Sequence, residues 1–273
     1  MITFIKCHLI SPFYSFIENS YLLKILLKRE LLNKYQGSYL GIFWSILNPV
    51  ALLLVYTFVF SIVLKIRWSD SVDGSSKFAV ILFLGLLIFN FFSDSVNRAS
   101  SLIVSNPNYV KKVVFPLEIL INVSVFAALT QMLISFLVWV IAYSIFFELP
   151  NYMILFFPIL ITPLILYTFG FSWILSALGV YFKDLQHLTS LVVMLLLFGT
   201  PIFYPASMVP NSLKFILYVN PLASSIEAIR NALVFDINPF SNLLYVHFFV
   251  SFFFFVFGYF FFQRLRKGFP DIL

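Results

Sequence analysis

Residues 117–147 read LEILINVSVFAALTQMLISFLVWVIAYSIFF, with one charge, Glu118, near the start. A helix rises about 1.5 Å per residue, so roughly 20 apolar residues cross a hydrocarbon core of about 30 Å. Leu117–Phe147 exceeds that length without a glycine or proline to break it. It reads as a membrane helix with length to spare for tilt, or for ends standing out of the lipid. The flanking sequence repeats the pattern. Gly41–Leu64 and Phe78–Asn97 precede it; Tyr152–Phe182, Leu188–Phe203 and Leu243–Phe262 follow, of which Leu188–Phe203 is short for a span. The prediction is an all-α polytopic membrane protein with six transmembrane helices. Pro158, Pro163 and Gly170 are candidate kinks in the fourth.

Composition agrees. Hydrophobic residues make up 62% of the 273 and charged residues 10%, with a mean hydropathy of +1.01. A soluble domain is about 45–50% apolar and roughly 25% charged. This chain cannot cover itself with polar groups, which excludes a soluble enzyme; disorder is excluded because disordered chains are poor in hydrophobes. The net charge of +6 fits basic cytoplasmic ends facing anionic lipid better than nucleic acid. Cys7 is the sole cysteine and no Cys/His cluster exists, so no metal site is expected. Met1–Tyr35 lacks the short apolar region and small-residue cleavage site of a signal peptide, so none is expected.

Lysine and arginine set the orientation. With the N-terminus inside, Lys6, Lys24, Lys28, Arg29, Lys34, Arg98, Lys111, Lys112, Lys183, Arg264, Arg266 and Lys267 are cytoplasmic. Lys65, Arg67, Lys77, Lys214 and Arg230 are external. That excess obeys the positive-inside rule and puts both termini in the cytoplasm.

Two segments outside the spans stand out. Asn19–Tyr35 is basic and leucine-rich; Lys24 and Lys28 share a face, but no single stripe runs its length. It reads as an amphipathic interface helix, a break, then a cytoplasmic approach to the first span, or more simply as a basic anchor. Tyr204–Phe240 is external in this topology yet largely apolar, and broken by Pro205, Pro210, Pro221 and Pro239. Short re-entrant or external helices fit it, as does a partly buried capping loop.

No catalytic constellation is present: no GxxxxGK[ST], HExxH, GxSxG or GxGxxG. His8, His187 and His247 are scattered. Asp94 and Glu118 lie near span ends, within reach of the cytoplasmic interface, so the span centres offer no ion or proton path. Lys183 and Asp184 read as a local ion pair. Asn90, Asn122, Gln131, Ser135, Thr162, Ser172 and Ser176 are polar groups that line a path or bond between helices. Aromatics make up 20% of the chain; their faces stack on the C–H faces of sugar rings, and Tyr56, Phe60, Phe198, Phe203 and Tyr204 are the candidate channel aromatics.

Residues 29–65 read RELLNKYQGSYLGIFWSILNPVALLLVYTFVFSIVLK. This resembles the opening of ABC-2-type polysaccharide-export permeases, which serve O-antigen, teichoic acid and capsule export. The matching positions are Arg29, Glu30, Leu31, Lys34, Tyr35, Gly37, Ser38, Leu40, Gly41, Trp44 and Pro49, with lysine at 34 in place of arginine. Asn108–Pro116 resembles the loop between spans two and three. Tyr181–His187 resembles the motif after span four, with Lys183 replacing an arginine. Pro201–Pro205 resembles the end of span five, and Asn220–Pro221 with Arg230 the external helices. Gly258–Asp271 is similar to the family's tail, and the O-antigen exporters are the most alike.

The resemblance implies an interfacial N-terminal region over 1–40, a six-span ABC-2-type transmembrane domain over 41–262 and a cytoplasmic tail over 263–273. It implies a bacterial inner-membrane permease, not itself an enzyme. The permease would act as a homodimer with two copies of a separate ABC ATPase, which holds the ATP and magnesium; this chain carries no cofactor. The cargo would be a polyprenyl-diphosphate-linked polysaccharide, moved through a channel between the two permease copies. The N-terminal helix with Lys24 and Lys28, and the loop with Lys111 and Lys112, would contact the ATPase. The cations Arg29 and Lys34 suit a lipid diphosphate, ATPase carboxylates or lipid headgroups. Gly37 and Gly41 permit a bend or close packing, and Pro49 should kink span one. A drug or lipid permease of the same architecture, and a membrane-embedded glycosyl- or acyltransferase, are the competing readings. The transferase would need acid/base groups such as Asp94, Glu118 or Asp184.

Overall fold

The computed structural model describes residue 12 and residues 15–64, 68, 75–111, 115–147 and 151–273. Lys6, Cys7, His8, Lys65, Arg67 and Lys112 lie outside the described residues. Among the described residues every regular element is helical. Helix α1 is Ser20–Asn33; α2 is Trp44–Tyr56, prolonged by a π-helical Thr57–Val63; α3 is Ser75–Leu102; α4 is the short Pro107–Lys111; and α5 is Glu118–Phe146. Then come α6 (Phe157–Tyr181), α7 (Leu185–Gly199), α8 (Lys214–Val219), α9 (Pro221–Leu233), α10 (Asn242–Leu265) and α11 (Phe269–Ile272).

Among the described residues five helical stretches are long and apolar enough to cross a membrane: Gly41–Val63, Lys77–Leu102, Glu118–Phe146, Tyr152–Tyr181 and Asn242–Ile272. The fifth expected span is not among them. Its helix, α7, has 15 residues, a rise of about 22 Å against a core of about 30 Å. The chain leaves helical conformation at Thr200, so Pro201–Phe203 do not extend it.

Helix α3 is the axis of the bundle. Phe78–Phe92 is buried with one exception, Asn90, and α2, α5, α6, α7 and α9 all pack on it. The α6–α10 pair is the most extensive contact. It depends on small residues at the crossing: a Cβ at Gly258 would come within 2.6 Å of the Gly170 carbonyl oxygen, and one at Gly170 within 2.6 Å of the Phe254 ring. Gly170 is thus a close-approach point rather than a kink. Pro158 sits in the first turn of α6, where a proline costs no hydrogen bond.

Helix α1 has no buried residue and rests on α5. The break expected after it is real. Gly37 and Gly41 have φ of 82° and 53°, which other L-residues rarely adopt, and a Cβ at either would touch nothing. They turn the chain into span one, and among the described residues no part of this chain packs on them. Pro49 is buried inside α2. The segment after α7 forms short helices, as expected, but the last is no loose cap. In α9, Asn220 accepts from the Leu222 N–H, Pro221 occupies the first turn, and most of the helix is buried against α3, α6 and α10.

Candidate functional site

Two constellations carry the polar chemistry of the bundle. One lies at the ends that hold Arg29, Lys34 and the α4 loop. Glu30 forms an ion pair with Arg98, joining α1 to α3. Arg29 and Lys34 do not converge. Arg29 is exposed and lines a cavity of about 220 Å³ with Arg98, Asn106, Tyr109 and Ser124. Lys34 lines two other cavities, of about 250 and 290 Å³, with Tyr35, Asp94 and Gln131. There Tyr35 donates to Gln131 Oε1 at 3.3 Å, and Gln131 Nε2 donates to the Ser45 carbonyl at 2.8 Å, tying α5 to span one. Burial raises the Tyr35 phenol above its ordinary pKa. The Arg29 cavity and one of the Lys34 cavities share Glu30 and Arg98 in their walls.

Glu118, expected near a span end within reach of the interface, is 6% exposed and bound on both oxygens. Arg266 Nη1 donates to one at 2.7 Å and Ser15 Oγ reaches the other at 3.5 Å. This carboxylate is a structural anchor for the tail, which weakens the transferase reading. Among the described residues Lys183 and Asp184, both in the turn between α6 and α7, form no ion pair, so the expected local pair is absent. The Tyr181 hydroxyl instead donates to the Leu265 carbonyl at 2.9 Å, and the Tyr181 and Phe262 rings enclose Phe269, which is fully buried. The motif after span four and the tail thus meet, and α11 packs against α4. Lys24, Lys28 and Lys111 are exposed on α1 and α4.

The second constellation is at the opposite end. Arg230, expected to be an external cation, is 3% exposed. Its Nη1 donates to the Pro201 carbonyl and its Nη2 to the Ile202 carbonyl at 2.8 Å, with Ile81 at 3.5 Å. The guanidinium lies 4.5 Å from the Trp68 ring centroid. A Cβ at Gly85 would collide with it. Beside it, Asn220 Nδ2 donates to Thr200 Oγ1 at 2.9 Å. The Pro201–Pro205 and Asn220–Pro221 motifs are therefore halves of one buried polar knot. Burial pulls Arg230 down to about 9, opposed by the Glu227 carboxylate, so it stays a cation at neutral pH; burial also raises Glu227, opposed by Arg230. Reading the sequence missed this knot, since nothing local separates a stapling arginine from an exposed one.

The candidate aromatics divide. Phe198 is 61% exposed, stacks on Phe203 at 5.9 Å, and its carbonyl accepts from the Tyr204 hydroxyl at 3.0 Å. Burial raises Tyr204. Tyr56 and Phe60 form a separate pair on span one, with Phe60 5.4 Å from Phe78. Of the other polar residues, Ser135, Thr162 and Ser176 bond within their own helices, and Asn90, Gln131 and Ser135 line one cavity. His247 packs against Tyr167. Among the described residues no cluster of His, Cys, Asp and Glu could hold a metal.

The sequence is similar to those of known proteins. The O-antigen export system permease protein RfbA of Myxococcus xanthus is 31% identical over 205 residues, spanning 74% of this chain and 76% of its own. That of Klebsiella pneumoniae is 28% identical over 255 residues, 92% of this chain and 95% of its own. The polysialic acid transport protein KpsM of Escherichia coli is 26% identical over 211 residues, 76% and 78%. The ABC-2 type transporter family matches residues 21–234, and the chain belongs to that family.

Proposed function

We propose that this chain is the membrane permease subunit of an ATP-driven polysaccharide exporter, with a polyprenyl-diphosphate-linked glycan of O-antigen type as cargo. The observation that carries this reading is likeness to O-antigen export permeases across nearly the whole chain. The absence of a phosphate-binding loop from the sequence supports a separate ATPase, which would bring ATP and magnesium. Two permease copies and two ATPases would form the transporter in the bacterial inner membrane, with both permease termini cytoplasmic. Helix α7, apolar and largely exposed, would serve as a short sixth span against the second copy or thinned lipid, and α1 would lie at the interface. Phe198, Phe203 and Tyr204, grouped at the end of α7, suit a sliding surface for sugar rings better than Tyr56 and Phe60.

Deletion in a strain without another exporter tests this. Glycan should accumulate inside and the surface should be bare; full surface glycan refutes the cargo, and altered drug resistance instead would favour a drug or lipid permease. Native mass spectrometry in mild detergent should find two permease and two ATPase chains. Arg29→Ala should lower export without dissolving the assembly. Charge reversal at Lys111 and Lys112 should lower glycan-stimulated hydrolysis.

A further inference from the structure

The cavity beneath Arg29 holds a group whose chemistry is incomplete. Ser124, on α5, is 3% exposed and its hydroxyl has no hydrogen-bond partner among the described residues. Leaving a buried hydroxyl unpaired is costly, so such a group in a polar cavity points to a missing ligand. The cavity that Ser124 lines is mostly polar and is walled by four elements: α1, the end of α3, α4 with the turn before it, and the first turns of α5. Arg29 and Arg98 both face it, as does Glu30. Glu30 is committed to Arg98, so Arg29 is the charge without a counter-ion among the described residues. Asn106 spends its Nδ2 on the Leu102 carbonyl. Tyr109 is held by its ring against Phe115, at 4.5 Å between centroids, and among the described residues no hydrogen bond engages its hydroxyl.

We infer that this cavity binds an oxyanion of phosphate type. A free guanidinium, a second one nearby, a phenol and an unpaired serine hydroxyl are donors facing one small space, and guanidinium with hydroxyl donors is the usual cradle of a phosphate. A carbohydrate would leave Arg29 without a counter-charge, and a metal cation would be repelled by it. The bound anion would link α1 and α3 to the α4 turn through Asn106 and Tyr109, fixing the short helix that presents Lys111. The phosphate could reach this place on a lipid headgroup or free from the cytoplasm, and the chemistry is the same. The inference does not depend on the cargo proposed above.

The test uses the permease with its ATPase partner in phosphatidylcholine nanodiscs, with hydrogen exchange followed in peptides covering residues 98–111 and 118–126. Three conditions are compared at matched ionic strength: chloride, inorganic phosphate, and chloride with phosphatidic acid in the disc. Exchange in both peptides should slow severalfold in at least one phosphate condition. Protection by inorganic phosphate identifies the free anion; protection by phosphatidic acid alone identifies the headgroup. Arg29→Gln, at an exposed position, should weaken the anion effect about tenfold or more, the worth of a charged hydrogen bond. Ser124→Ala should leave exchange in chloride unchanged or slower, since it removes an unpaired group, yet weaken the anion effect. No protection from either phosphate source, or protection that survives Arg29→Gln, overturns the inference.

Discussion

Replacing Arg230 by alanine should release the segment after α7. The wild-type guanidinium serves the Pro201 and Ile202 carbonyls, and among the described residues neither receives another backbone bond. The Ile81 carbonyl lies inside α3, where the helix's own ladder supplies a donor. Alanine therefore strands two acceptors, at about 1–3 kcal/mol each, and forfeits the Trp68 cation–π contact of about 2 kcal/mol. Against that stands relief from burying a cation, several kcal/mol before its bonds are counted. The balance is a loss of about 3 kcal/mol, local to residues 200–205. Hydrogen exchange there reads local opening, and about 3 kcal/mol corresponds to roughly 150-fold faster exchange. Arg230→Lys, which keeps the charge and part of the bonding, should fall between. Exchange within about threefold of wild type would refute the view that Arg230 holds this segment.

Gly85→Ala should destabilise by about 1–3 kcal/mol through collision with Arg230, and be nearly harmless in the Arg230→Ala background; additive thermal shifts would sink this. Phe269→Ala should detach the tail, costing about 3 kcal/mol locally; faster proteolysis after Arg266 with an unchanged main melting transition is the expected outcome, and unchanged cleavage contradicts it. Glu118→Ala leaves Arg266 without its carboxylate and should loosen the same tail, measured by the same cleavage. Burial raises the Glu227 carboxyl in the folded protein. Ionisation then favours unfolding, and stability falls as pH rises from the unfolded value of about 4.3 through the folded one. Glu227→Gln should therefore melt higher than wild type at pH 7 with the gap closing toward pH 4; a lower melting point at pH 7 contradicts this.

What the linear chain decides is what depends on local composition. Apolar length makes Glu118–Phe146 a span whatever it packs against, because lipid accepts no unsatisfied backbone. The break at Gly37 and Gly41, the helices between Tyr204 and Phe240 and the first turn at Pro221 follow from glycine, proline and capping chemistry that act within a few residues. Helix α7 marks the edge of that legibility: hydropathy runs on to Phe203, but the backbone turns at Thr200, where Asn220 and Arg230 offer bonds from 20 and more residues away.

Partnership is what only the tertiary structure decided. Arg230 and Arg29 are equally cationic in sequence, yet one is buried on backbone carbonyls and the other faces a cavity. Arg29 and Lys34 stand five positions apart and open into different cavities, because the chain leaves α1 at Asn33. Glu118 is charged and near a span end, so it reads as an interface residue until Arg266, far along the chain, is brought against it. Burial and pairing of a charge depend on which distant elements cover it, and the packing of α3, α5, α9 and the tail supplies that information; no window of sequence contains it.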